Sequence, residues 1–296
     1  MKKLIMTESQ ISTIKKYLNE AEDRSYIFDW DDNILFMPTK IKMDKNEGGN
    51  WVPIDVSTEK YAEIRTSPEY RLRNNKPSVA FEDFQLTNSF LSDTVEAISN
   101  KSYAPSFEKF KESLVYGSKF AINTARGHTP EALKQGVKTF IDLVLSDEEE
   151  EMMVNSVRKN IPQHITSHEQ LKTDTLNNDQ IIDLYLEEFG EYYPVSSEEF
   201  GKRFGLDTLG NAANPEHAKK VAIEHFTQKV LRNVQKLVDS GHYTKVSVGF
   251  SDDDIRNVRA SEEFIQNELI HMYPEIHFVV YDTSEGGNKK MVIEKK

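Results

Sequence analysis

The chain has 296 residues, 38% of them hydrophobic and 29% charged, enough for one large domain or for a core carrying insertions. Mean hydropathy is −0.61 and no apolar run approaches the ~20 residues of a membrane span, which argues against a membrane protein. With no cysteine, disulfides, thiolate zinc sites and cysteine nucleophiles are excluded, and a net charge of −12 disfavours broad binding to nucleic acid.

The opening MKKLIMTESQ has only a short apolar run after its lysines, so no secretory leader is expected, and the composition fits a cytoplasmic protein. Thr7 and Gln10 make a capping-box pattern. Ile11, Ile14, Tyr17 and Leu18 share one face of a helix over 7–20, expected to dock on the core within an N-terminal segment 1–22.

Tyr26, Ile27 and Phe28 predict a short buried strand whose end presents Asp29 and Asp31. Residues 37–112 are broken by Pro38, Gly48, Gly49, Pro53, Pro68, Pro77 and Pro105 and read as irregular, with strand-like pieces at 39–43 and 51–54 and a helical piece at 107–114. KFAINT predicts a strand over 119–124. Thr129, Pro130 and Glu131 then give the cap, proline and acid of a helix start, and that helix should run to about Leu145.

The acids at 147–151 read as a solvated face or loop. Residues 148–212 read as mostly helical, with Ile181, Ile182, Leu184, Tyr185 and Phe189 packing a core. Asn214, Pro215 and Glu216 open a helix to about Asp239. KVSVGF predicts a strand closed by Ser251, Asp252, Asp253 and Asp254, with Asp254 expected mainly as a helix N-cap. A helix over 261–272, the strand HFVVYD and a last strand over 291–293 after Gly286 and Gly287 complete the alternation. This order predicts an α/β fold, a doubly wound parallel sheet with its ligand site at the carboxyl ends of the strands.

Three of those ends are polar. Asp29 and Asp31 can divide nucleophile or metal-ligand work from acid–base work. Thr124 precedes a helix start that suits a phosphate oxygen, and Arg126 could add a bidentate contact. The acids at 252–254 are costly to bury without a cation, and oxygen ligands of this kind suit Mg²⁺. The eight histidines contain no HExxH pattern, and the His164/His168 pair reads as surface or helix packing.

Together, FDWDDNIL, AINTARG and VSVGFSDDD resemble the first, second and fourth motifs of the haloacid dehalogenase (HAD) superfamily. Lys219 and Lys220 both stand where its third-motif lysine would fall, with Lys229 as a further choice. The resemblance implies a Rossmann-like core over 23–36, 119–146 and 213–296, with cap insertions at 37–118 and 147–212. It implies Asp29 as nucleophile, Asp31 as acid and base, Thr124 and a lysine (Lys219 or Lys220) as phosphoryl contacts, and Arg126 and Asn33 as substrate contacts. Asp29, Asp31 (through its carbonyl), Asp252 and Asp253 would hold Mg²⁺. Asn33 departs from the family, which commonly has Thr there. The implied activity is hydrolysis of a small phosphorylated metabolite or nucleotide. A nucleic-acid end phosphatase using Arg126 with Arg65, Arg71, Arg73 and Lys76, and a non-catalytic binding or structural module, are the competing expectations.

Overall fold

The computed structural model describes residues 22–164, 175–206, 215–239 and 245–294. The helix expected over 7–20 lies outside them. A six-stranded sheet forms the centre, built from β1 (Glu22–Phe28), β5 (Lys119–Thr124), β6 (Gly190–Pro194), β7 (Lys245–Asp252), β8 (Ile276–Asp282) and β9 (Lys289–Ile293). Its order is β6-β5-β1-β7-β8-β9; all neighbours are parallel except β8 and β9.

The parallel strands are short, continuous buried runs because helices cover both faces. Successive side chains of a strand point to opposite faces. Phe28, Phe120 and Ile122 therefore enter one core, and Ile27, Ala121 and Phe250 the other. The first core is completed by helices α2 (Thr87–Ser99), α3 (Phe107–Val115), α4 (Pro130–Val144), α5 (Asp147–His164) and α6 (Asn178–Glu188). The second is completed by α7 (Glu198–Phe204), α8 (Pro215–Asp239) and α9 (Ile255–Phe264). Thr129 caps α4 as its sequence predicts, accepting the Ala132 N–H at 3.2 Å, and Asp254 caps α9.

The strand-like pieces expected at 39–43 and 51–54 and the helical piece at 107–114 are present as parts of longer elements, and their pairing adds a sheet that the sequence did not predict. Residues 37–118 contain a second, three-stranded sheet in the order β3-β2-β4, from β2 (Ile41–Glu47), β3 (Asn50–Val56) and β4 (Tyr70–Leu72). Gly48 and Gly49 form the two-residue turn between β2 and β3, both with positive φ (61° and 95°), as a tight hairpin requires. The helix α1 (Thr58–Ile64) follows this hairpin. The rest of the segment, α2 and α3, packs directly on the main sheet: the Phe110 ring lies 5.2 Å from Phe28 and 5.9 Å from Phe120.

Residues 147–212 are not simply an appended helical unit either. β6 pairs with β5 along the sheet, and Ile181, Ile182, Tyr185 and Phe189 are buried in the first core. The sequence GEYYP concealed this strand, since it is five residues long and ends in a proline that an edge position tolerates. The helical run expected over 261–272 ends at Met272 as expected but begins at Ile255, because the capping side chain of Asp254 starts it directly after the acidic cluster.

Candidate active site at the carboxyl ends of the sheet

β1 sits where the strand order reverses: β5 and β6 lie to one side, β7 and β8 to the other. Such a switch point opens a crevice at the carboxyl ends of the strands. Asp29 is the first residue beyond β1, and its N–H continues the ladder by donating to the Ser251 carbonyl at 3.0 Å. Trp30 is fully buried against Phe90 and Phe110 and anchors the turn that follows. The N–H groups of Ile34 and Leu35 close that turn onto the Trp30 carbonyl, at 3.1 and 3.2 Å. Asp32 takes the left-handed conformation it requires (φ 55°).

The Asp29 carboxylate is fixed at both oxygens: Oδ1 accepts the Trp30 N–H at 2.7 Å and Oδ2 accepts Lys219 Nζ at 2.6 Å. The same ammonium donates to Asp252 Oδ2 at 2.6 Å. Lys219 is 1% exposed and sits in the first turns of α8, whose backbone is tied to β5 by Asn123 Nδ2 donating to the Lys219 carbonyl at 3.3 Å. Of the two lysines expected for this role, Lys219 alone enters the cluster, while Lys220 lies over the Phe264 ring, 5.9 Å from its centroid. Lys229 is engaged elsewhere, with Glu191 at 2.5 Å.

Burial alone would lower the pKa of the Lys219 ammonium. Its two carboxylate partners outweigh that and hold it above the usual lysine value. Burial raises Asp29 to about 7, against the pull of Lys219 and with further repulsion from Asp252 and Asp31. Asp253 is driven well above the carboxylate range by burial, then by Asp252, Asp29 and Asp32.

Carboxylate oxygens of Asp29, Asp252 and Asp253 all lie within 4.8 Å of one another, close enough to share an ion. Five carboxylates (Asp29, Asp31, Asp32, Asp252 and Asp253) interact here with two cationic side chains, Lys219 and Arg126. A donor set of oxygens alone, with surplus negative charge, fits a hard divalent cation of the Mg²⁺ kind.

The second cluster also faces this end. Thr124 Oγ1 accepts the Arg126 N–H at 3.3 Å and lies 3.4 Å from Asp31 Oδ2. Arg126 grips Asp31 with two parallel bonds, Nε to Oδ2 at 2.8 Å and Nη2 to Oδ1 at 2.6 Å. Asn33 does not face the crevice. It is fully buried; Nδ2 donates to the carbonyls of Asp29 (3.1 Å) and Ser251 (3.3 Å). Its Oδ1 accepts the hydroxyls of Ser106, Ser251 and Thr283 at 2.9–3.0 Å. This residue staples the turn after β1 to β7 and β8 from beneath, where a substrate contact was expected.

Several participants escaped the sequence reading. Asp32 stands in plain sight in FDWDDN; burial, opposed by the Thr58 hydroxyl and aided by Asp31 and Glu59, raises it to about 6. Asn257 holds Asp252 Oδ1 at 3.1 Å from one turn into α9, and the Asp254 N–H holds the same oxygen at 3.0 Å. Thr39, which supports Arg126 at 2.8 Å, carries no local signal at all.

Comparison with family models, with curated proteins and with solved structures returns no match.

Proposed function

We propose that this protein is a Mg²⁺-dependent phosphohydrolase of the haloacid dehalogenase type, acting on a phosphate monoester of a small metabolite or nucleotide. One observation carries the reading. A buried lysine bridges the first carboxylate after the central strand to the last residue of the neighbouring strand, joining Asp29 and Asp252 through Lys219. Burying an ion triad is expensive and adds little to stability compared with apolar packing, so a chemical role is the better account of it.

In this mechanism an Asp29 oxygen attacks phosphorus. The new O–P bond forms as the ester P–O bond breaks, and the departing alkoxide takes a proton from the protonated form of Asp31. Asp31 then takes a proton from water as the water attacks phosphorus. Inorganic phosphate leaves and the Asp29 carboxylate is restored. Lys219 and Thr124 meet the charge on the phosphoryl oxygens, and the buried donors around Asp29 keep its orientation fixed between the two steps. Bound Mg²⁺, held by Asp29, Asp252 and Asp253, would neutralise charge on the transferring group.

A nucleic-acid end as substrate is less favoured. Arg71 and Arg73 are tied to Asp44, and Arg73 also to Asp55, which neutralises much of the basic stretch after residue 64. The decisive assay is phosphate release from an aryl phosphate with Mg²⁺, comparing wild type, Asp29→Asn and wild type with EDTA. The reading requires activity in the first and background in the other two; activity that survives Asp29→Asn overturns it.

A further inference from the structure

The Asn33 amide joins four segments of the chain beneath the carboxylates of the site. Its Nδ2 donates to the Asp29 carbonyl, just beyond β1, at 3.1 Å, and to the Ser251 carbonyl, one residue before Asp252, at 3.3 Å. Its Oδ1 faces the Ser106 hydroxyl ahead of α3 and the Ser251 hydroxyl in β7, both at 2.9 Å, and the Thr283 hydroxyl after β8 at 3.0 Å. The Asn33 carbonyl accepts the Ser106 N–H at 2.8 Å, and the Thr283 N–H returns to the Asp252 carbonyl at 3.2 Å. Asn33, Ser106, Ser251 and Thr283 are all buried.

The hydrogens of this network can be assigned without a remainder. An amide has two N–H hydrogens and two oxygen lone pairs. The hydrogens go to the two carbonyls. Thr283 and one serine fill the lone pairs, and the other serine donates to the first, since the two Oγ atoms lie 2.7 Å apart. A buried polar network with every member satisfied is rigid and favours one arrangement. What it holds here is the separation of two ligand carriers, because Asp29 follows β1 while Asp252 and Asp253 close and follow β7.

Mg²⁺ demands near-ideal octahedral contacts of about 2.0–2.1 Å, whereas Ca²⁺ accepts about 2.3–2.6 Å in looser arrangements. The stiffness beneath the ligands therefore bears on which ion is taken. We infer that Asn33 is a positioning residue for the cation site: it fixes Asp29 against Asp252 and Asp253, and this fixity selects Mg²⁺ over Ca²⁺. Ser106, Ser251 and Thr283 lock its amide in place. The inference rests on the phosphohydrolase reading for the presence of a cation and adds the means by which the site chooses one.

Isothermal titration of MgCl₂ and of CaCl₂ into the full chain gives a Kd for each ion, with melts to establish that each variant is folded. Groups that orient metal-bound carboxylates from behind are typically worth about 10- to 100-fold in affinity. Wild type should prefer Mg²⁺. Asn33→Ser should weaken Mg²⁺ binding by about tenfold or more while Ca²⁺ binding changes less, so that the preference shrinks. Thr283→Val should shift it the same way by a smaller factor, and Thr283→Ser, which keeps the hydroxyl, should keep the wild-type ratio. Tyr185→Phe is the control. It removes a bond to the Ser118 carbonyl (2.7 Å) at the opposite end of the sheet, and should lower Tm with both Kd values unchanged.

An unchanged preference in Asn33→Ser, an equal weakening of both ions, or a wild type without preference for Mg²⁺ overturns the inference and leaves Asn33 a structural staple. Should Asn33→Ser fail to fold, the ratio in Thr283→Val decides alone. A wild type that binds neither ion removes the metal from the phosphohydrolase reading as well, an outcome distinct from selective wild type with equally selective variants. Selective Mg²⁺ binding without phosphate release from any ester would sink that reading and leave the role of Asn33 standing.

Discussion

Lys219 places one positive charge between two buried carboxylates, so its removal bears on stability before it bears on chemistry. Lys219→Met leaves Asp29 and Asp252 facing each other without their shared cation, a loss of about 3–5 kcal/mol for a buried pair broken on one side. A divalent cation bound by the same carboxylates would offset part of that loss. Thermal unfolding should therefore show a large drop in Tm for the variant, and a larger Mg²⁺-induced rise than in wild type. His128 gives a second test at this scale. It is 1% exposed, its Nε2 lies 3.2 Å from the Leu86 carbonyl, and burial, with Arg126 nearby, lowers its pKa to about 4. Above the ordinary histidine value of 6.5 the ring is neutral in both folded and unfolded chains. As pH falls from 6.5 to about 4, protons bind the unfolded chain preferentially, and stability is lost by up to roughly 3 kcal/mol. Melting curves of His128→Gln across that window should decline less steeply than those of wild type; parallel curves would refute the assignment.

Among the elements, α2 and α4 meet at a point where a single methyl matters. A Cβ at Gly136 would stand 2.6 Å from Phe90 Cε1, and Phe90 is fully buried between Trp30 and His128. Gly136→Ala gains up to ~1 kcal/mol of helix propensity but overpacks the core by about 1–3 kcal/mol, so the net change is destabilising. Thermal melts should therefore show a lower Tm for Gly136→Ala, and an unchanged or higher Tm would refute the overpacking. The same elements show how far the sequence could be read. β1, β5 and β7 were legible because each is an apolar run halted by a polar cluster, and the starts of α4 and α8 because cap, proline and acid stand together. β6 was hidden by its brevity; β2 and β3 were legible in part, but their pairing was hidden because Gly48 and Gly49 read as breakers instead of as a two-residue turn. The roles of Asn33 and Thr39 were beyond local pattern. Asn33 finds its partners 73, 218 and 250 positions away, and Arg126 meets Thr39 across 87. Such pairings are settled by topology alone.

At the scale of the molecule, the described residues form two large cores on the faces of the main sheet and a third, small one of Ile41, Met43, Ile64 and Phe84 under the three-stranded sheet. Buried apolar area sets local opening free energy, so β2, β3 and β4 should open well before β1 and β7. Native-state hydrogen exchange is expected to show lower protection at Met43 and Ile54 than at Ile27 and Val248; equal protection would mean that the small sheet opens only with the whole. The site at the centre of the main sheet brings a different consequence, one of timing. β1 is bonded on one side to β7, and Asn33 reaches a carbonyl 218 residues further on. At roughly 5–20 residues per second, synthesis delivers those partners on the order of 10–40 s after β1 itself. Through that interval one flank of the central strand has no β7 to pair with, and Lys219, once made, has Asp29 as a partner before it has Asp252. The strand that leads to Asp29 is thus made well before the partner that completes its pairing, and through that interval its open flank is vulnerable to mispairing.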